Sequence, residues 1–252
     1  MRRGGATGVT VYKWLDGRQA THVHGFRYRL RVWTPRVEGE LVACKNGYHL
    51  CRERNLPYWI SRDLFLAETD EPEEEWLVGS NKVVVRRCRI VEHLQGWNER
   101  TALLFAADCA ERVLPLWERP DDDRPRLAIQ VARDFARGLV GEEELRHTRE
   151  AADDAAASAS SSSAASYAAY AARSAAYAAR SAATYSGYSA AASAAASAAS
   201  SAAAARAAAS FAAARWPSLP PSPARAAASF AADSEREWQG QRILDYAHGR
   251  IS

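Results

Sequence analysis

"NERTALLFAADCAERVLP", residues 98–115, is where the chain changes its period. Before Gly96 apolar residues tend to alternate in twos; from here Leu103, Ala107, Ala110 and Leu114 recur three to four apart, which is helical spacing. Asn98 stands where a helix N-cap belongs, and Pro115 stands where a helix must bend or stop. The stretch therefore splits the chain and predicts an α+β protein. A small β-rich module with one short helix occupies 1–96, and an all-helical, Ala-rich array occupies 97–252.

Upstream, "VTVYKWL" from Val9, "FRYRLRVW" from Phe26, "ELVAC" and "KVVVRRCRIVE" read as strands. In "FRYRLRVW" the alternation puts Phe26, Tyr28, Leu30 and Val32 on one face and Arg27, Arg29 and Arg31 on the other. The short helix is expected in "LPYWISRDLFLAE", with Pro57 in its first turn and Trp59, Ile60, Leu64 and Leu66 as its apolar side.

Downstream, "DDDRPRLAIQVARDFARG" predicts a second helix opened by Asp121, Asp122 and Asp123 and closed by Gly138. "GEEELRHTREAADD" opens a third that runs into the Ala-rich tract. "WPSLPPSP", 216–223, is a Pro-rich break, and a last helix follows over roughly 224–247.

Composition narrows the possible roles. The net charge of the 252 residues is only +3, so total charge does not point to nucleic acid. Cys44, Cys51, Cys88 and Cys109 follow no disulfide framework, and the basic residues of "MRRGGATGVTVYKW" have no apolar run behind them. A cytoplasmic protein with reduced thiols is expected. The Ala run is interrupted by Ser and Arg, so no membrane span is expected.

"AAYAARSAAYAARSAA", 168–183, writes one seven-residue unit twice. On a helix Tyr167, Tyr170, Tyr177, Tyr185 and Tyr188 fall within roughly 80° of one another, with Arg173 and Arg180 beside them. No acidic residue lies between Ala155 and Ala232, while Arg173, Arg180, Arg206, Arg215 and Arg225 do. Packing against other helices leads among the readings, because aromatic stripes at helical spacing usually face a core. A partner-binding surface and a solvated rod are the alternatives.

His22, His24, Cys44, His49, Cys51 and Cys88 supply N and S ligand types, but no paired C-x2-C knuckle accompanies them, so neither metal nor cofactor is expected. Tyr12, His24 and His49, with Arg27, Glu68 and Glu92, are residue types suited to a charged substrate. No spacing ties a base to a nucleophile, and no phosphate-cradling loop is present. "ERPDDDRPR", 118–126, reads first as a capped interhelix loop and second as an acidic contact for a basic partner.

A resemblance adds to these readings. An A-D-C-A-E-R-V-L-P opening (Ala107–Pro115), a D-x-R-P-R-x-A-I turn (Asp122–Ile129) and an A-R-G ending (Ala136–Gly138), with an Ala/Arg-rich tail, resemble a family of bacterial immunity proteins, the immunity-five-like group of polymorphic toxin systems. The likeness is specific over about 104–150 and compositional to about 235. Gly25–Tyr28, Cys44–Cys51 and Val83–Val85 more weakly resemble a domain of unknown function from bacterial and phage proteins. Neither brings catalytic residues. The resemblance implies an intracellular binding protein of a bacterial or phage conflict system that occludes a toxin or effector through its helical array.

Partner choice would then rest on Tyr170, Arg173, Tyr177, Arg180 and Arg206 or on Asp121, Asp122 and Asp123. Two other classes stay open. One is a nucleotide-using enzyme of the ADP-ribosyltransferase type around Tyr12, His24 and His49; the other is nucleic-acid binding by the Arg/Tyr helices. Ala-rich seams also allow pairing of two copies of the chain.

Overall fold

The computed structural model describes residues 10–16, 26–117, 121–158, 188–214 and 221–252. The fold is α+β, with short strands between Val11 and His93 followed by helices. Two compact units result: Met1–Trp97 together with Ile243–Ser252, and Asn98–Arg242.

The first unit contains six strands: β1 (Val11–Leu15), β2 (Tyr48–Leu50), β3 (Asp63–Glu68), β4 (Leu77–Val78), β5 (Val83–Val85) and β6 (Arg89–His93). They form two antiparallel sheets, ordered β1-β3-β6 and β2-β5-β4. Their common core includes Val11, Leu15, Leu50, Phe65, Val83, Val85 and Ile90.

Three expectations for this unit are corrected. The helix placed in "LPYWISRDLFLAE" is instead a 3-10 turn, Glu53–Tyr58, followed by β3. Leu64–Ala67 form the middle strand of a sheet with a partner on each side, and that pairing overrides a short apolar run which suits helix and strand alike.

"FRYRLRVW" is not a regular strand. Arg31 adopts a left-handed φ of 61°, and the segment pairs with β6 through an isolated bridge at Leu30 and Ile90 rather than a ladder. Phe26 and Tyr28 pack with Tyr48, whereas Leu30 and Val32 turn to solvent. "ELVAC" is likewise a turn, closed by Val42 and Asn46.

The described helices are α1 (Glu99–Val113), α2 (Arg124–Ala136), α3 (Glu142–Ser158), α4 (Tyr188–Ala214) and α5 (Pro221–Ala247). Asn98 caps α1 as its sequence predicts: its side chain accepts from the Thr101 amide at 3.2 Å, and the Thr101 hydroxyl accepts from the Asn98 amide at 2.8 Å. Residues 101–110 of α1 are buried without exception, so this stretch is covered all round rather than along one core-facing stripe.

The packing of α4 follows its Ala and Ser positions. Ala192, Ala195, Ala198, Ala199 and Ala202 are buried, while Ser193, Ser197 and Ser200 are exposed. Ala on the inner face lets backbones approach closely, and α4 packs on α1. Among the described residues no helix is long and apolar enough to cross a membrane.

Ile243–Ser252, which include the end of the last helix, cluster with the N-terminal unit. Gly96 is why the chain can approach so closely there: a Cβ at that position would collide with the carbonyl oxygens of Tyr246 and Ala247. At the Pro-rich break, α5 already begins at Pro221, with Pro223 in its first turn, where a missing N–H costs no helical hydrogen bond.

Candidate functional site

The last two turns of α1 carry Asp108, Glu111 and Arg112 on a helix that is otherwise largely apolar. Charges so placed need partners, because an unpaired buried ion is strongly unfavourable. Each oxygen of Asp108 has its own guanidinium: Oδ1 accepts from Arg133 of α2 at 2.8 Å, and Oδ2 from Arg242 of α5 at 2.7 Å. Arg133 also grips Glu111 with both terminal nitrogens, at 2.8 and 2.6 Å. Those hydrogen bonds, against a smaller opposing effect of burial, hold the Glu111 carboxyl below its ordinary range.

Arg112 makes the second connection. Its Nε donates to both oxygens of Glu235 on α5, at 3.2 and 3.0 Å, and its guanidinium lies 4.1 Å from the Trp238 ring centroid. Glu235 is completely enclosed, with Arg206 of α4 as a second cation at 3.7 Å. Arg206 also donates to the Arg112 carbonyl at 2.5 Å, and buried Gln239 donates to the Ala199 carbonyl at 2.9 Å. One charged seam thus fastens α1 to α2, α4 and α5.

Cys109 lies inside this seam. Burial first, then the Glu235 and Asp108 carboxylates, push its thiol well above the ordinary value, so it is no nucleophile at neutral pH. Guanidiniums do not exchange protons at such pH, and Glu111 is held ionised by one of them. The chemistry of the seam is fastening.

The D-x-R-P-R-x-A-I turn has the same character. Asp122 clamps Arg124 with both oxygens at 2.7 Å and receives the Trp117 indole at its carbonyl, 3.1 Å away. Asp123 stands at the helix start with no capping hydrogen bond from its side chain, and it faces Arg126 at 3.6 Å. Of the three aspartates expected to cap the helix, Asp122 accepts from the Arg124 amide at 3.3 Å besides clamping its guanidinium. Pro125 and Ile129 are buried, Ala128 packs on Ala152 of α3, and Gly138 ends α2 at φ 74°.

The candidates named from sequence fall into three groups. Tyr170, Arg173, Tyr177, Arg180 and His24 lie outside the described residues, as do His22, Tyr167 and Tyr185. Tyr12 and His49 are structural: Tyr12 is buried in β1 with its amide and carbonyl bonded to Cys51, and His49 Nε2 accepts the Cys44 amide at 2.9 Å. Burial, then the charge of Glu53, raises the Tyr12 phenol. Arg206 faces inward, whereas Asp121 and Asp123 are exposed.

Among the described residues no group of three or more His, Cys, Asp or Glu is placed to hold a metal ion. Near Tyr12, Lys13 is enclosed, donating to the His49 carbonyl at 2.7 Å. Burial lowers its ammonium, a trend opposed by the neighbouring Cys88 and Cys51.

Sequence reading missed Asp108, Glu111, Arg133, Glu235 and Arg242. The available signal for Asp108 was a charge three and four residues after the apolar pair Leu104 and Phe105, on the face that the helical spacing makes apolar.

No curated protein and no solved structure matches the chain. The residues of the seam contributed by α1, α2 and α4 all fall inside one family match, as do the Asp122 clamp and the Gly138 stop. Residues 92–208, a little under half of the chain, match the family described as "Imm-5 like putative immunity protein".

Proposed function

We propose that the chain is an intracellular immunity-type binding protein that occludes a protein partner, a toxin or effector, through its helical unit. One observation carries the reading beyond the family match. The charged residues of the family-like motif, Asp108, Glu111 and Arg112, are engaged in holding helices together and leave no acid, base or nucleophile free for catalysis in the seam. A rigid helical scaffold is suited to presenting a preformed surface, which limits the ordering cost of association.

On this reading the partner contacts are residues other than those of the seam. Asp121 and Asp123 at the exposed start of α2, and Tyr170, Arg173, Tyr177 and Arg180 in the repeat, are its proposed contacts. Arg206 and Asp122 are assigned holding roles instead.

The test is affinity capture from host lysate followed by reconstitution with the purified captured protein. Charge reversals are preferable to deletion of the Ala tract, because α4 packs on α1 and its Ala199 carbonyl accepts from Gln239. The expected result is a single protein lost on Asp121→Arg with Asp123→Arg, or on Arg173→Glu with Arg180→Glu. Capture of the same set by all forms overturns the assignment, and preferential retention of nucleic acid by the Arg helices replaces it with the nucleic-acid reading.

A further inference from the structure

The N-terminal unit carries a surface that the helical reading does not use. We propose that the turn Arg29–Val32 is a docking site for an acidic protein segment with an aliphatic or aromatic centre. It lies outside residues 92–208 and does not depend on the function proposed for the helices.

The turn is fixed before any partner arrives. Tyr28 and Thr34 anchor its two ends in the interior. The Val32 amide donates to the Arg29 carbonyl at 3.2 Å, the Arg31 amide to Ile90 at 2.7 Å and the Thr34 amide to Cys88 at 2.9 Å. Arg31 is held at φ 61°, a conformation that side-chain-bearing residues adopt rarely and that persists only where the surroundings enforce it.

What this turn displays is unusual for a solvated loop. Leu30 and Val32, two residues apart in the turn, are 47% and 53% exposed. Arg27, Arg29 and Arg31 surround them in sequence, all exposed and with no acidic partner among the described residues. Among the described residues the Arg31 side chain donates to the Val91 carbonyl, at 3.5 Å.

Neighbouring arginines are satisfied by contrast. Arg36 and Arg87 face Asp70 at 3.6 and 3.3 Å, and Arg89 faces Glu68 at 2.6 Å. Unmatched positive charge thus stands beside the exposed aliphatic pair on this segment, and the complement of the two together is an acidic surface with an apolar centre.

Nucleic acid fits less well. Single strands are held by stacking on aromatic faces, and the tip offers only aliphatic side chains. The adjacent indole, Trp33, is already attended by Arg87 and Arg89, with guanidiniums 5.0 and 4.6 Å from its ring centroid.

The experiment measures binding of the full-length protein to three fluorescent probes. These are a short synthetic peptide of Asp and Glu around a Leu-Phe pair, the same peptide with Ser replacing that pair, and a single-stranded oligonucleotide of similar length. Arg29→Ser with Arg31→Ser removes two of the charges, Leu30→Ser with Val32→Ser removes the apolar tip, and Arg126→Ser on α2 serves as a control in the helical unit. Thermal midpoints confirm that each variant folds.

The expected result is saturable binding of the Leu-Phe peptide that weakens about tenfold in each double variant and is unchanged in the control. Replacing the Leu-Phe pair by Ser weakens it comparably. The proposal is overturned by absence of saturable binding, by binding that both double variants leave unchanged, or by a preference for the oligonucleotide that depends on the same residues.

Discussion

Arg112 and Glu235 stand 123 residues apart in the chain and meet at 3.0 Å. The arginine keeps part of its surface in water while the glutamate is wholly enclosed, so the carboxylate depends on the arginine more than the reverse. Arg112→Met keeps an apolar stem over Trp238 and removes the charge. It is expected to destabilise the helical unit by roughly 3 kcal/mol, read as a lower denaturant midpoint at an unchanged slope. Adding Glu235→Leu should restore much of that loss, since the enclosed charge is then gone as well.

Asp108 and Glu111 share Arg133, yet their removal should differ in cost. The Asp108 side chain is 9% exposed and that of Glu111 58%. Glu111→Gln is expected to cost under about 1 kcal/mol because solvent screens the pair, whereas Asp108→Asn should cost about 2 kcal/mol or more. The sign of the acid effect follows from the lowered Glu111 carboxyl. Its contribution is present above the unfolded value of 4.5 and is lost as pH falls through the lower folded value. Denaturant titrations at neutral pH and below 4.5 should show Glu111→Gln with a flatter acid limb than the parent.

The buried thiols predict alkaline behaviour. Burial pushes Cys51 and Cys88 from 9.0 up to about 12, against a smaller opposing effect of Lys13. A raised folded value means that stability is fully present below 9.0 and declines as pH climbs towards about 12, because the unfolded chain releases those protons first. Unfolding midpoints measured across that window should fall, and Cys88→Ala should make the decline shallower. In the folded protein a thiol reagent should modify exposed Cys44 quickly and Cys51, Cys88 and Cys109 only as the protein unfolds.

Gly96→Ala tests the return of the C-terminal residues to the N-terminal unit. The added methyl would meet the Tyr246 and Ala247 carbonyls, which belong to backbone and cannot swing aside. The expected cost is about 2 kcal/mol. Hydrogen exchange should show the loss of protection concentrated in Ile243–Ser252, and an unchanged exchange pattern would remove Gly96 as the enabling residue.

Sequence alone determined whatever depends on neighbours within a turn or two. The change of period at residue 98 marked the passage from sheets to helices, Asn98 with Thr101 set the start of α1, and Gly138 set the end of α2. These features are legible because capping and helical spacing are local interactions. The alternation of buried Ala with exposed Ser in α4 is local too, and could have been extracted from an otherwise plain tract.

Tertiary structure decided the rest. A pattern reports which side of an element is apolar but not what covers it, so "DLFLAE" became a central strand once β1 and β6 flanked it. Asp108 and Arg242 are 134 residues apart, and no periodicity relates them. They pair because close packing of Ala-rich helices brings enclosed charges together, where only an opposite charge can replace water.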